Sequence, residues 1–260
     1  TDMKILIVSG FLGAGNMGGA ILCAIADKEP FETAVYEKSA EKARRMADKT
    51  GCAVMSSVEE LLAFADVVLI AVKPIHIDPL LREIVNCKDY ASKVYVSIAA
   101  GVKIERFTKV LGEISIVRTM PNLPAMVREG FTGIYYYNMN EERFSEYKRE
   151  IKMIFDAFGK TTVLSSETAV DKLISVTSSS PAYICLLIDA LADGAVRAGF
   201  SREDAYIMAE QTVYGTAKYL LETGTLPAVL KDQVCSPAGT TIEAVVSLER
   251  NGFRSAILDA

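Results

Sequence analysis

The stretch that decides the fold is "GFLGAGNMGGAI", Gly10 to Ile21. It sets Gly13, Gly15 and Gly18 in the spacing G-x-G-x-x-G, after a β-branched run and before an apolar helical pattern. Each glycine answers a different steric need. The first permits a tight turn, the second lets a pyrophosphate approach the backbone, and the third lets helix and strand pack closely. The helix N-terminus then presents free N–H groups and a positive dipole end to the phosphates. Three glycines in such a turn also suit a purely steric role, so context decides. Here the motif lies at the first strand-to-helix turn of an alternating α/β region, the setting a dinucleotide site needs.

Outward from this turn, β-branched runs alternate with amphipathic stretches through the first ~160 residues, the pattern of a parallel sheet with crossover helices. Strands are predicted at Ile5–Leu12, Thr33–Glu37, Val67–Val72, Val94–Ala99, Ile114–Arg118 and Gly133–Tyr137. Ser9-Gly10 inside the first of these suggests a strand that begins late, near Val8. Helical patterns fill Ala40–Lys49, Val58–Phe64, Ile77–Val85 and Ile104–Leu111. Several strands are apolar throughout, as expected when both faces of a sheet are covered. Residues 1–163 are therefore predicted to form a Rossmann domain, doubly wound and mainly parallel.

After Val163 the strand signals stop, and residues 164–260 read as an all-α domain. Glu167–Ala198 and Arg202–Glu222 are long helical patterns, with Gly199-Phe200-Ser201 as a stop and start between them. The apolar residues of the first are spread around most of its circumference, so it must be buried on most sides. A short helical tail offers too little cover, which predicts a partner subunit. Inside that pattern lies "SVTSSSPAY", Ser175 to Tyr183, where four hydroxyls and Pro181 are expected to bend or interrupt the helix.

A chain of 260 residues, half of them apolar, suffices for one large domain or two modest ones. The net charge of −5 argues against nucleic acid or an anionic membrane as the main partner. Five scattered cysteines read as reduced thiols in a cytoplasmic protein rather than a disulfide framework or zinc site. The apolar start "TDMKILIVSGFLG" has no small-residue cleavage site after it and reads as a strand, not a signal peptide. "YICLLIDALADGAV" is interrupted by Asp189 and Asp193, so no membrane span is expected. A single histidine, His76, excludes a histidine-built metal site, and no metal is predicted.

The second strand ends in "VYEKS". Glu37 lies about 20 residues beyond the glycine motif, where a carboxylate would bind a ribose 2′-hydroxyl and favour NAD(H). Lys38, Ser39 and Arg44 suit a 2′-phosphate instead, and a solvated helix start explains these residues equally well. "IAVKP" puts Ala71, Lys73 and Pro74 at the sheet's C-terminal edge, where ligands bind in such folds. "SIAAGV", Ser97 to Val102, ends the next strand in small residues, including Ala100, against which a nicotinamide can lie. Near the C-terminus, "QVCSPAGTTIEA" lacks any strong acid or base. Read in isolation, Thr240 or Thr241 caps the helix that follows.

These motifs together resemble the pyrroline-5-carboxylate reductase family. The likeness rests on "GFLGAGNMGGAI", "DVVLIAVKP", "SIAAGV", "VRTMPNLPAMVREG", "SSSPAYICLLIDALADGAVRAG", "QTVYGTAKYLLETG" and "AVLKDQVCSPAGTTIEAVVSLERNGFRSAILDA", and covers nearly the whole chain. The resemblance implies NAD(P)H-dependent reduction of the cyclic imine to proline. It implies a homodimer interlocked through the C-terminal helices, and a decamer of five dimers. Gly13, Gly15, Asn16, Met17, Gly18, Glu37, Lys38, Ser39, Ala71, Lys73, Pro74 and Ala100 would face the cofactor, NADP(H) or NAD(H). Ser179, Gly239, Thr240 and Thr241 would face the substrate, with backbone N–H groups on its carboxylate. The chain departs from the family at Ser178, Ser180 and Ala238, where glycine is usual, and at Val58, where an Asn is frequent.

The missing acid and base suit this chemistry, because a protonated imine accepts hydride without a strong enzymatic acid. Thr241 is expected to meet the imine nitrogen. Two other readings stand beside it: a β-hydroxyacid dehydrogenase built around Lys172, though Ser175-Val176 stand where paired asparagines are expected, and a non-catalytic NAD(P)-binding regulator.

Overall fold

The computed structural model describes residues 4–8, 15–26 and 31–260. Strands buried on both faces need helices on both sides, and the first compact unit, which extends to Ser178, is built that way. Its strands are β1 (Lys4–Val8), β2 (Glu32–Val35), β3 (Ala53–Val54), β4 (Val67–Ile70), β5 (Val94–Ser97), β6 (Ser115–Met120), β7 (Gly130–Tyr137) and β8 (Gly159–Val163). They form one sheet in the order β3-β2-β1-β4-β5-β6-β7-β8. Every pairing is parallel except β6 with β7. The order reverses between β1 and β4, so chain crossovers lead away to either side of that point.

Helices α1 (Gly15–Ile25), α2 (Ala40–Thr50), α3 (Val58–Phe64), α4 (Ile77–Ile84), α5 (Ile104–Leu111), α6 (Ser145–Asp156) and α7 (Glu167–Thr177) accompany the sheet. Alternation along the strands assigns their faces. Val68, Ile70 and Tyr95 join Leu61, Leu81 and Phe107 in one core layer. Val67, Leu69, Val94 and Val96 join Ile21, Leu22 and Phe155 in the other. Each such side chain taken out of water contributes roughly 1.5–3 kcal/mol.

Several sequence expectations need correction. β1 runs from Lys4 to Val8 and so begins early rather than near Val8; Ser9-Gly10 and the rest of the expected strand lie outside the described residues. β3 and β8 were not expected, the first because it is two residues long, the second because "GKTTV" opens with a glycine. The helix expected over Glu167–Ala198 is broken after Thr177, with Ser180 and Pro181 restarting it in the first turn, where proline is tolerated. By contact α7 stays with the sheet, and the compact units part between Ser178 and Ser179.

Two features seat α7. Arg118 on β6 is only 2% exposed, and its guanidinium pairs with Glu167 at 3.1 Å and with Asp171, both on α7. Glu167 also accepts the Ile104 N–H at 2.7 Å, so α5 is tied to the same carboxylate. On β7, Gly133 leaves room for the helix: a Cβ there would lie 2.6 Å from Leu173 and 2.8 Å from Leu164.

The second unit consists of α8 (Ser180–Arg197), α9 (Arg202–Thr223), α10 (Pro227–Val234), α11 (Thr240–Arg250) and α12 (Phe253–Asp259). Ser201 starts α9 as expected, its hydroxyl accepting from Asp204 N at 3.1 Å. The buried core of this unit is small: Ala192, Ala205 and Ala209, where α8 meets α9. Leu186, Leu221, Leu226 and Leu258 are each at least 68% exposed. Contrary to expectation, the run Glu167–Arg197 is long and apolar enough to pass for a membrane span by length and composition alone. Neither threonine caps α11 through its side chain; Gly239 occupies the N-cap, and Ala238 before it adopts φ 54°. A left-handed backbone costs a residue with a Cβ about 1–2 kcal/mol.

Glu150 on α6 is 3% exposed, and its Oε2 has no hydrogen-bond partner among the described residues. Burial, reinforced by the charge of Glu146, raises its pKa. The folded state therefore binds this proton more tightly than the unfolded chain does. The stabilising effect is full below the ordinary carboxylate pKa of about 4.3 and is lost as pH rises through the higher folded value. Glu150→Gln should raise the melting temperature at pH ~8 and lose that advantage toward pH ~4; a gain that does not shrink on acidification would contradict the assignment. Ala238→Gly should raise the melting temperature at fixed protein concentration, by relieving ~0.5–1 kcal/mol net of the added unfolded-state entropy. An unchanged or lower value would mean the φ 54° conformation carries no strain.

Candidate active site

In an open α/β sheet the crevice for a ligand lies beyond the carboxyl ends of the strands, where strand order reverses. In this chain that point lies between β1 and β4. β1 leads toward α1, and Met17 and Gly18 lie in its first turn, Gly18 buried. Gly15 and Asn16 open α1, while Gly13 lies outside the described residues. β4 leads into Ala71, 2% exposed, and then into exposed Lys73 and Pro74, which starts a 3-10 turn reaching His76. The sequence-predicted residues 17, 18, 71, 73 and 74 thus follow the two strands that flank the reversal.

β5 ends beside β4. Ile98 N donates to Ile70 O at 3.2 Å, which carries the pairing one step past the strand, so that Ala99 and Ala100 follow at the same edge of the sheet as Ala71. Ser97 locks this end: its Oγ accepts from Ala99 N at 3.3 Å, and its carbonyl accepts from the Thr119 hydroxyl at 3.0 Å. Gly101 follows at φ 70°. The edge is therefore lined by Ala71, Ala99, Ala100 and Gly101, residues small enough for a flat ring to approach the backbone. This composition fits a dinucleotide.

At the end of β2, Glu37 Oε1 accepts from Ser39 N at 3.2 Å. Ser39 is the N-cap of α2, its hydroxyl accepting from Lys42 N at 3.4 Å. The helix-start reading therefore holds for Ser39, while Lys38 is exposed and Glu37 half-buried. No group of three or more His, Cys, Asp or Glu side chains suited to a metal occurs among the described residues.

Sequence reasoning missed Asn122. It follows β6, is 9% exposed, and uses both ends of its amide. Nδ2 donates to Thr177 O at 2.8 Å and Oδ1 accepts from Phe131 N at 2.8 Å. The last turn of α7 is thereby held at the carboxyl edge of the sheet. The only sequence signal was a polar residue between Pro121 and Pro124 just beyond a strand.

Ser179, Gly239, Thr240 and Thr241 belong to the second unit. Gly239, Thr240 and Thr241 gather at the start of α11, whose first-turn N–H groups have no side-chain cap. A Cβ on Gly239 would lie 3.1 Å from the Ser236 carbonyl oxygen and would displace the Ser236 hydroxyl, so the turn is tight at this glycine. Thr241 also lines a mostly apolar groove of 520 Å³ with Tyr219, Leu220, Leu230, Val234 and Val245. These groups can hold a carboxylate and offer a hydroxyl; they cannot act as a strong acid or base.

Comparison with known proteins gives one match to each part of the chain, the second beginning at α7. The family "NADP oxidoreductase coenzyme F420-dependent" matches residues 8–101, and "Pyrroline-5-carboxylate reductase dimerisation" matches residues 167–260. The chain is 42% identical to the pyrroline-5-carboxylate reductase of Escherichia coli over 96% of its length and 93% of that protein. Its fold is similar to a pyrroline-5-carboxylate reductase from Coxiella burnetii, with TM-score 0.91 and 31% identity over 100% of this chain and 94% of that one. It is also similar to the NADP-bound Plasmodium falciparum pyrroline carboxylate reductase, with TM-score 0.76 and 29% identity over 100% and 94% of the two chains. A Rossmann unit with small residues at its switch point, a helical unit poor in core, and these matches together place the chain in the pyrroline-5-carboxylate reductase family.

Proposed function

We propose that this chain reduces 1-pyrroline-5-carboxylate to L-proline, with the first unit holding NAD(P)H and the second supplying the substrate's anchoring groups. The observation that carries the reading is the start of α11, an uncapped helix N-terminus that follows a small-residue turn and bears two hydroxyls. Free N–H groups and the dipole there favour a carboxylate. Residues 164–260, in this reading, serve dimerisation and substrate binding, and residues 1–163 serve the cofactor.

Bound NAD(P)H supplies the hydride, so what the protein contributes is placement. Thr240 and Thr241 N–H groups hold the carboxylate, Ser179 and Gly239 shape its surroundings, and the Thr241 hydroxyl bonds the imine nitrogen. The imine is basic enough to take its proton from water, so no side-chain acid is required. Gly13 to Gly18, with Asn16 and Met17, cradle the phosphates, and Ala71, Lys73, Pro74 and Ala100 border the nicotinamide. Lys38 and Ser39 beside Glu37 suit a 2′-phosphate, which favours NADP(H), with NAD(H) as the second donor. A homodimer through the second unit covers its exposed leucines, five dimers make a decamer, and the enzyme works in the cytoplasm.

Thr241→Ala should lower turnover ten- to hundredfold, the loss of ~1.4–2.7 kcal/mol expected from one positioning hydrogen bond, while NADPH binding persists. Unchanged kinetics would remove Thr241 from the mechanism. Mixing the wild-type protein with the imine and NADPH or NADH, and following loss of the reduced nicotinamide's absorbance, tests the whole reading; no oxidation with either donor would end it.

A further inference from the structure

The hydroxyls around the end of α7 are not treated alike. Ser175 Oγ donates to Lys172 O at 2.9 Å, and Thr177 Oγ1 to Leu173 O at 3.1 Å, the back-bonding usual for hydroxyls within a helix. Ser178 breaks the pattern. Its own N–H already donates to Ile174 O, at 3.1 Å, and its Oγ is enclosed with no hydrogen-bond partner among the described residues. Buried polar groups in folded proteins are paired with few exceptions, so an unpaired one needs a reason.

The backbone around this hydroxyl is fixed. The Thr177 carbonyl is held by Asn122, and Asn122 is held in turn by Phe131 N. From Asn122 the chain enters the turn Leu123–Val127, where Ala125 packs in the same core layer as Ile21 and Leu22 of α1. Ser178 is therefore anchored to the same carboxyl edge as the residues that border the proposed nicotinamide. The residue as a whole is partly exposed although its Oγ is enclosed. A step about χ1 to another staggered position is open to this hydroxyl. That step breaks no hydrogen bond, because none is made.

We propose that Ser178 is a ligand-binding residue whose hydroxyl turns outward to donate to an oxygen of a bound reactant, either the nicotinamide carboxamide or the imino-acid carboxylate. The inference rests on the imine-reductase reading and adds to it a residue that tunes affinity. Ordinarily a ligand hydrogen bond is gained at the expense of one already made; here the donor is held in reserve.

Ser178→Ala and Ser178→Thr separate the outcomes. Ser178→Ala should weaken one reactant about tenfold, and Ser178→Thr, which keeps a hydroxyl, should stay within about threefold of wild type. NADPH fluorescence titration of the free enzyme reads the carboxamide arm; KM for the imine at saturating NADPH reads the carboxylate arm. The ligand-free melting temperature of Ser178→Ala should be unchanged or higher, since no bond is lost. Equal affinities for both reactants in Ser178→Ala overturn the proposal, as does a loss of affinity matched by a fall in ligand-free melting temperature. If the wild-type protein fails to turn over the imine, the functional reading falls separately, and the NADPH titration alone then decides Ser178: unchanged affinity overturns it.

Discussion

A guanidinium buried inside a sheet face is costly unless carboxylates accompany it. Arg118 is such a group, and its two partners both come from α7. Removing either carboxylate would leave buried charge only partly compensated. That requirement holds the helix against β6 and β7 along a path that Gly133 keeps open. The path ends at the carboxyl edge of the sheet, where Asn122 takes the last carbonyl. The electrostatics of one strand residue thus decide where the first unit hands the chain to the second.

The two units solve the problem of burial differently. The sheet buries apolar residues on both faces within one chain, through two large core layers. The helical unit buries three alanines and leaves many large apolar side chains in water. By hydropathy alone part of it resembles a membrane segment. The helical unit falls within the match to a dimerisation family, which fits a protein partner for such a surface. The same apolar excess has opposite meanings in lipid and in an oligomer, and composition does not distinguish them.

Local signals were legible where the cause is local. Val58–Phe64 is bounded as expected because Ser57 caps it, accepting from Glu60 N at 3.1 Å. Ile104–Leu111 ends where Gly112 adopts φ 73°. Pro181 foretold the break after α7, since it fits only a first turn. What was missed depends on distant partners. β7 starts at Gly130, three residues before the expected strand, because close packing against Ala125 needs a glycine where one ordinarily signals a break. Arg118 and Asn122 carry meaning only through residues 49 and 55 positions away, which no window of sequence contains. The threonines of "GTT" looked like caps, yet the glycine before them takes that position.

The sheet's margins bear on how copies of the chain can associate. One margin is β3, two residues long; the other is β8, which carries Lys160 among small polar residues. A strand that short offers an incoming chain almost no ladder to extend, and a lysine on the opposite rim discourages stacking. Growth of the sheet from molecule to molecule is thus discouraged at both ends. Self-recognition is left to side chains on helices, where shape complementarity can set a closed number of subunits, rather than to backbone pairing, which has no natural stopping point.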